Sequence, residues 1–490
     1  MPDLRTGKIK YLNELLTAKE ISCVELTQKY IDAIKKENTV LNAYVNVTEA
    51  DALSTAKAVD EKIQRGEELS LLEGIPMTLK DNISTKDVET TCCSKILKGY
   101  VPVYDATVWE ILKKQNAVLL GKTNMDEFAM GSSSETSCFG GSLNPHNIAH
   151  VAGGSSGGTA SAVSGSMAVY GLGSDTGGSV RQPASFCGLV GLKPTYGTVS
   201  RYGLIAYASS FDQIGPIAGS VEDAAIIYDA VSKYDKKDST STGSRVKTAD
   251  TLNDSIKGMK IGIAEEYFDG VREDIRASIK KALKVYEALG AEIMEIKLPS
   301  LKYALPVYYI LACAEASSNL GRYDGIRYGC KTDSYKDVND MISRTRSEGF
   351  GKEVQRRILL GTYVLSAGYY DAYYNKAQRL RETIVKAFQD AFLECDVMIT
   401  PTVPATAFET NYTLQDPVET YLTDICTVPV NIAGLPALSI PCGFDGKGLP
   451  IGMQIIGKSF DDARILNAAY QYEQCVKDEI YKKSDMGVTI

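Results

Sequence analysis

Apolar positions along the chain alternate between two periods. Leu26, Tyr30, Ile31 and Ile34 recur at helical spacing behind Ser22-Cys23-Val24-Glu25, whose serine and glutamate are placed for a capping box. This predicts helix through residues 1–65, an N-terminal helical layer on a larger core. Ile75-Pro76-Met77-Thr78-Leu79-Lys80 reads as a short buried strand ending on a lysine. A helix from Tyr104 to Lys113 precedes another short strand, Ala117 to Leu120, ended by Gly121. Beyond residue 258 the order is strand, helix, strand. Met259 to Ile263 comes first. Ile275, Ile279, Ala282, Leu283, Tyr286 and Leu289 then hold helical spacing up to Gly290, and Ile293 to Leu298 follows. A helix over 377–393 leads into Val397-Met398-Ile399-Thr400. Leu438-Ser439-Ile440 and Ile451 to Ile456 flank Gly446 and Gly448 and predict a hairpin, and Asp461 to Gln474 reads as a closing helix. Alternating strands and helices predict an α/β fold with its sheet covered by helices on both faces. The polar run 233–257 is the best candidate for a surface loop.

Residues 151–200 depart from this pattern, holding 12 of the 42 glycines and nine serines. A flexible linker would have that composition. It would not carry Val163, Met167, Val169, Leu172, Val180, Leu189, Val190 and Leu192. The stretch therefore predicts packed core with close backbone approach, including a helix of small residues near 157–170.

Composition removes whole classes of function. With 490 residues and 44% apolar positions, the chain can build a core without staples. A net charge of −8 and a pI near 5.2 argue against a nucleic-acid-binding face that dominates the chain. Eleven scattered cysteines, none spaced C-x-x-C, read as reduced and cytoplasmic. The residues from Met1 to Glu20 carry charges throughout and show no signal peptide, and no segment has the ~20 apolar residues of a membrane helix. The two histidines, His146 and His150, cannot support a dense metal site, so no metal is expected.

The same scarcity narrows the chemistry. Neither histidine sits in a Ser-His-Asp context, so a histidine-based serine mechanism is not expected. The glycines from 153 to 158 are not followed by Gly-Lys-Ser/Thr, so they form no phosphate loop. Serine chemistry with a lysine base remains. Gly153-Gly154-Ser155-Ser156-Gly157-Gly158 and Asp175-Thr176-Gly177-Gly178-Ser179-Val180-Arg181-Gln182-Pro183-Ala184 each set glycines beside serines. Glycines let a substrate carbonyl approach the backbone and leave N–H groups free to face an oxyanion. The second run is the better oxyanion candidate, with the N–H groups of Thr176, Gly177, Gly178 and Ser179.

With Lys80 upstream, these two runs resemble the amidase signature family, whose Ser-cisSer-Lys triad matches Ser179, Ser155 and Lys80 in order and spacing. The resemblance implies one domain over 1–490, an amidase signature fold with a large mixed β-sheet, and a signature core over 70–220. It implies Ser179 as nucleophile, Ser155 after a cis peptide bond as proton relay, and Lys80 as the base, which must be neutral to accept a proton. Asp175 and Arg181 would hold the loop. Family members often have proline where Ala152 stands; Cys92-Cys93 and His150 are also unusual, and Cys187 reads as a small buried hydrophobe.

Further stretches are similar to those family members that serve as the glutamine-hydrolysing subunit of tRNA-dependent amidotransferases. They include Thr123 to Glu135, Ala314 to Leu320, Arg322 to Gly325, Gly361 to Tyr374 and Val428 to Pro436. What this implies is hydrolysis of glutamine, with the ammonia going to a partner that converts Glu-tRNA(Gln) to Gln-tRNA(Gln). Asp-tRNA(Asn) stays open as a second substrate. The implied partners are amidotransferase subunits B and C in a heterotrimer, with tRNA met through the complex and no membrane. No cofactor is implied in this chain, and ATP and Mg belong to the partner subunit. For the glutamine site, the resemblance assigns Arg357 to the α-carboxylate and Asp424 to the α-ammonium, with Tyr309 and Ser132 as walls. Arg356 and Tyr308 remain alternatives to their neighbours. A free-standing amidase of small amides is the competing reading.

Overall fold

Eleven strands join into one sheet in the computed structural model, which describes residues 8–243, 246–411 and 417–481. In chain order the strands are β1 (Tyr44–Val47), β2 (Pro76–Lys80), β3 (Val118–Thr123), β4 (Leu143–Asn144), β5 (Asn147–Val151), β6 (Tyr170–Asp175), β7 (Val190–Lys193), β8 (Gln213–Ala218), β9 (Lys260–Ala264), β10 (Glu292–Ile296), β11 (Val397–Pro401), β12 (Ala437–Phe444) and β13 (Pro450–Gly457). Their order is β1-β3-β2-β6-β8-β7-β12-β13-β11-β9-β10, and β4 with β5 form a separate pair. The sheet is mixed: β3, β2 and β6 run parallel, as do β11, β9 and β10, while the strands between pair antiparallel. This is the expected α/β class with a large mixed sheet.

The central strands are buried along their length, so they read as apolar runs rather than as alternation. The hairpin appears as β12 and β13, and the unit after residue 258 as β9, helix Glu273–Ala288 and β10. The capping box forms, with Ser22 and Glu25 each bonding the other's backbone N–H. The first seven residues of the helical layer and residues 244–245 of the polar run lie outside the described residues.

Five expectations change. The helical layer over 1–65 is not continuous: past the left-handed Asn42 the chain runs extended as β1, which pairs antiparallel with β3 at the sheet edge. β3 does not stop at Gly121 but runs through it to Thr123; with φ +157° there, β1 comes close enough for a Cβ to collide with the Asn46 carbonyl. The small-residue helix is Gly157–Ser164 only, because Ser166 turns left-handed at φ 56° and β6 must begin at Tyr170. The helix expected from Tyr104 begins at Thr107. The polar run is not wholly surface: Asp235 is buried and accepts the hydroxyls of Thr107 at 2.5 Å and Ser200 at 2.7 Å. Among the described residues no helix is long and apolar enough to cross a membrane.

Candidate active site

Lys80 ends β2 and Asp175 ends β6, its parallel neighbour. Carboxyl ends of adjacent parallel strands open onto one edge of the sheet, where crevices for ligands form. The glycine-rich loop before helix Gly157–Ser164 carries Ser155 to the same edge, and its Gly154–Ser155 peptide is cis. Lys80 Nζ donates to Ser155 Oγ at 2.6 Å and to the Ser174 carbonyl at 3.2 Å. Lys80 and Ser155 are fully buried, whereas Ser179 keeps 8% exposure. A lysine at a strand end is ordinarily solvated; this one is enclosed. Burial pushes its amine down to about 7, against the opposing pull of the Asp126, Asp175 and Asp212 carboxylates.

Ser179 lies on the second loop, tied to the first where the Ser156 N–H donates to the Ser179 carbonyl at 3.1 Å. Its hydroxyl bonds to no other described residue. The structure thus joins Lys80 to Ser155 directly and Ser179 to their loop through the backbone. Of the four N–H groups expected to face an oxyanion, Gly178 is withdrawn: it donates to Asp175 Oδ1 at 2.8 Å. Those of Thr176, Gly177 and Ser179 have no acceptor among the described residues. A Cβ at Gly177 would stand 2.6 Å from the Tyr308 hydroxyl, which places Tyr308 against this loop.

Arg181 holds the loop with all five of its N–H groups. Nε and Nη2 reach Asp175 at 3.0 and 2.9 Å, Nη1 reaches the Thr427 carbonyl at 3.1 Å and Gln454 at 2.5 Å, and Nη2 also reaches Asn431 at 2.5 Å. Burial would raise the Asp175 carboxyl, but the Arg181 charge and hydrogen bonds outweigh it and hold it below the usual carboxylate range. Arg181→Ala would leave Asp175 as a buried, unpaired charge. The expected cost is about 3–5 kcal/mol, read as a lower urea midpoint at unchanged m-value. Arg181→Lys recovers only part, because an ammonium cannot reproduce the fork.

A second cluster gathers the remaining candidates. Ser132 Oγ donates to Asp424 Oδ1 at 2.9 Å and Tyr309 Oη to Oδ2 at 3.0 Å. Burial raises the Asp424 carboxyl to about 6, while the bonds from Ser132 and Tyr309 and the Arg357 charge favour ionisation. Arg357 is buried; its Nε donates to Glu353 Oε1 and its Nη1 to Tyr207 Oη, both at 2.8 Å. Its guanidinium lies over the Tyr207, Tyr309 and Tyr421 rings at 5.7, 5.1 and 5.3 Å. Nη2 bonds to no described residue. Arg356 instead points outward and pairs with Glu353. Of the two arginines, Arg357 belongs to the cluster. Both tyrosines are at hand, Tyr309 on Asp424 and Tyr308 on the Gly177 loop.

Sequence reasoning missed Tyr207, Glu353 and Tyr421 around Arg357, and Asn431 and Gln454 on Arg181. It also missed Asp212, which accepts Thr176 Oγ1 at 2.6 Å beside the oxyanion loop. Glu353 alone carried a local signal, the helical i, i+4 spacing to Arg357.

A family model described as Amidase matches residues 25–466. The A subunit of the glutamyl-tRNA(Gln) amidotransferase of Caldanaerobacter subterraneus subsp. tengcongensis is 54% identical over 479 residues, 97% of either chain. The A subunit from Carboxydothermus hydrogenoformans is 54% identical, covering 95% of this chain and 96% of its own. The crystal structure of the A subunit from Thermotoga maritima superposes with a TM-score of 0.81 at 41% identity, covering 99% of this chain and 97% of that one. A peptide amidase from Stenotrophomonas maltophilia gives a TM-score of 0.82 at 27% identity, covering 98% and 99%. The chain belongs to the amidase family and, within it, to the A subunits of glutamyl-tRNA(Gln) amidotransferases.

Proposed function

We propose that this chain hydrolyses glutamine to glutamate and ammonia through Ser179, Ser155 and Lys80. The observation that carries the reading is the pairing of two clusters: a buried, largely desolvated lysine on Ser155, and an Asp424/Arg357 pair able to hold an amino-acid head group. Neutral Lys80 accepts the Ser155 proton as Ser155 takes the proton of Ser179. The Ser179 oxygen attacks the side-chain amide carbon, and the N–H groups of Thr176, Gly177 and Ser179 receive the oxyanion. The same relay run backwards protonates the leaving ammonia. Water then repeats the attack on the acyl-serine and releases glutamate. Asp424 meets the α-ammonium, and the free Nη2 edge of Arg357 meets the α-carboxylate.

On this reading the 1–490 chain acts as one domain. The ammonia passes to partner subunits B and C of a cytoplasmic heterotrimer, which convert Glu-tRNA(Gln) to Gln-tRNA(Gln), with Asp-tRNA(Asn) a further candidate substrate. ATP and magnesium are needed there, for activating the carboxylate, and not in this chain. The names of the relatives support this assignment.

Two substitutions test the head-group site. Arg357→Ala is expected to raise KM for glutamine by about 10²-fold, the worth of a charge-assisted pair, with a smaller change on small neutral amides. Asp424→Asn is expected to act in the same sense. Equal losses on both substrate types contradict the head-group role, and strong turnover of neutral amides by the unaltered chain favours a free-standing amidase instead.

A further inference from the structure

Glu127 is a buried carboxylate that the proposed reaction does not use. It follows Asp126 in the stretch Asp126-Glu127-Phe128-Ala129, where Phe128 and Ala129 turn left-handed at φ 50° and 61°. The two acidic residues reach opposite ways. The Asp126 N–H donates to the Ser155 carbonyl at 3.2 Å, and its carboxylate accepts the Ser134 N–H and the Thr136 hydroxyl, each at 2.9 Å. Glu127 instead receives the Gly351 N–H on both oxygens, at 2.8 Å on Oε2 and 3.1 Å on Oε1, and the Ser94 hydroxyl on Oε1. Gly351 is the N-cap of helix Lys352–Val364, the helix that carries Glu353 and Arg357.

The fit at this end is close. A Cβ on Gly351 would collide with the Glu127 carboxylate, and one on Gly349 would stand 2.9 Å from the Ile96 side chain. Gly351 has no side-chain cap of its own, so Glu127 satisfies a helix-terminal N–H that would otherwise be unpaired. Arg357 lies six residues further on, roughly 9 Å along the axis. A small tilt or rotation at Gly351 therefore displaces the guanidinium.

We infer that Glu127 is a positioning residue for the amino-acid head group of the substrate: it anchors the Arg357 helix to the loop that supports Ser155, and so fixes the distance between head-group clamp and nucleophile. The inference rests on the proposed role of Arg357.

Steady-state glutamine hydrolysis by the chain with its native partners tests it, using E127A, E127Q and R357A, with amide hydrogen exchange over residues 351–357. E127A is expected to raise KM about tenfold with kcat changed less than about twofold, and to speed exchange at the helix start. E127Q keeps one oxygen for the Gly351 N–H and turns its amide toward Ser94, so its KM should stay within about threefold of wild type. Unchanged KM with lowered kcat in E127A would overturn the inference, since Glu127 would then serve the nucleophile. So would unchanged exchange. R357A separates the two claims. Raised KM in R357A with unchanged KM in E127A refutes the anchor alone; the reverse refutes the Arg357 role and overturns the inference with it, since Glu127 would then act on the substrate by another route. If E127A fails to fold, S94A supplies the graded version, with an expected KM increase of about threefold and the same reading of outcomes.

Discussion

Lys80→Ala is expected to lower glutamine turnover by about 10⁴-fold or more, the scale on which loss of one member of a catalytic serine system acts. The expectation rests on where the amine sits: at the end of β2, fully buried, 2.6 Å from Ser155 Oγ. Burial holds it at about 7, against 10.5 for a free lysine. The catalytically useful form is the neutral amine, so turnover should climb as pH rises through about 7 and level off above it. Stability depends on pH through the same group. Between about 7 and 10.5 the unfolded lysine binds a proton that the folded one does not, so stability contributed by this group rises with pH across that window and is flat below it. Lys80→Met, which conserves volume, should remove that slope and be at least as stable as wild type at pH 7, while as inactive as the alanine variant. Collapse of cooperative unfolding in Lys80→Met would make Lys80 structural; turnover surviving in either variant would remove it as the base.

Ser179→Ala should be equally severe for a different reason. Its hydroxyl has no other partner among the described residues, and Ser179 is the member of the triad with residual exposure, as a nucleophile awaiting substrate must be. The substitution deletes one oxygen and leaves the backbone link to Ser156 in place. Glutamine binding through Asp424 and Arg357 should persist, so the equilibrium affinity measured by calorimetry should stay within about threefold while turnover falls by ~10⁴-fold or more. Parallel loss of binding and turnover would instead point to a collapsed loop. Residual turnover well above that level would shift the nucleophile to Ser155.

Much of this arrangement is legible in the residues because it is local. The run ending at Lys80 and the two glycine-serine loops each declare themselves in ten residues or fewer, and the hairpin at β12–β13 in one contiguous stretch. What is not legible depends on approach between distant segments. Gly121 reads as a strand terminator because its neighbours do not reveal that Asn46 packs against it. Gly178 is a local exception: it reads as an oxyanion donor, but Asp175, three residues earlier, folds back onto its N–H. The aromatic box around Arg357 draws Tyr207 from 150 residues away and Tyr421 from the far side of the chain, pairings that no spacing rule supplies. Asn431 and Gln454 complete the Arg181 fork for the same reason. At Arg357 and Arg181 a buried charge needs partners, and tertiary packing rather than local sequence decides which ones it finds.

The most direct test of the central claim is ammonia release from free glutamine by the chain co-purified with its native partners, comparing wild type with Ser179→Ala. Release by the wild type, its absence in Ser179→Ala, and two partner chains in the purified complex are the predicted result. A chain that purifies alone and leaves glutamine untouched while cleaving neutral amides would contradict it.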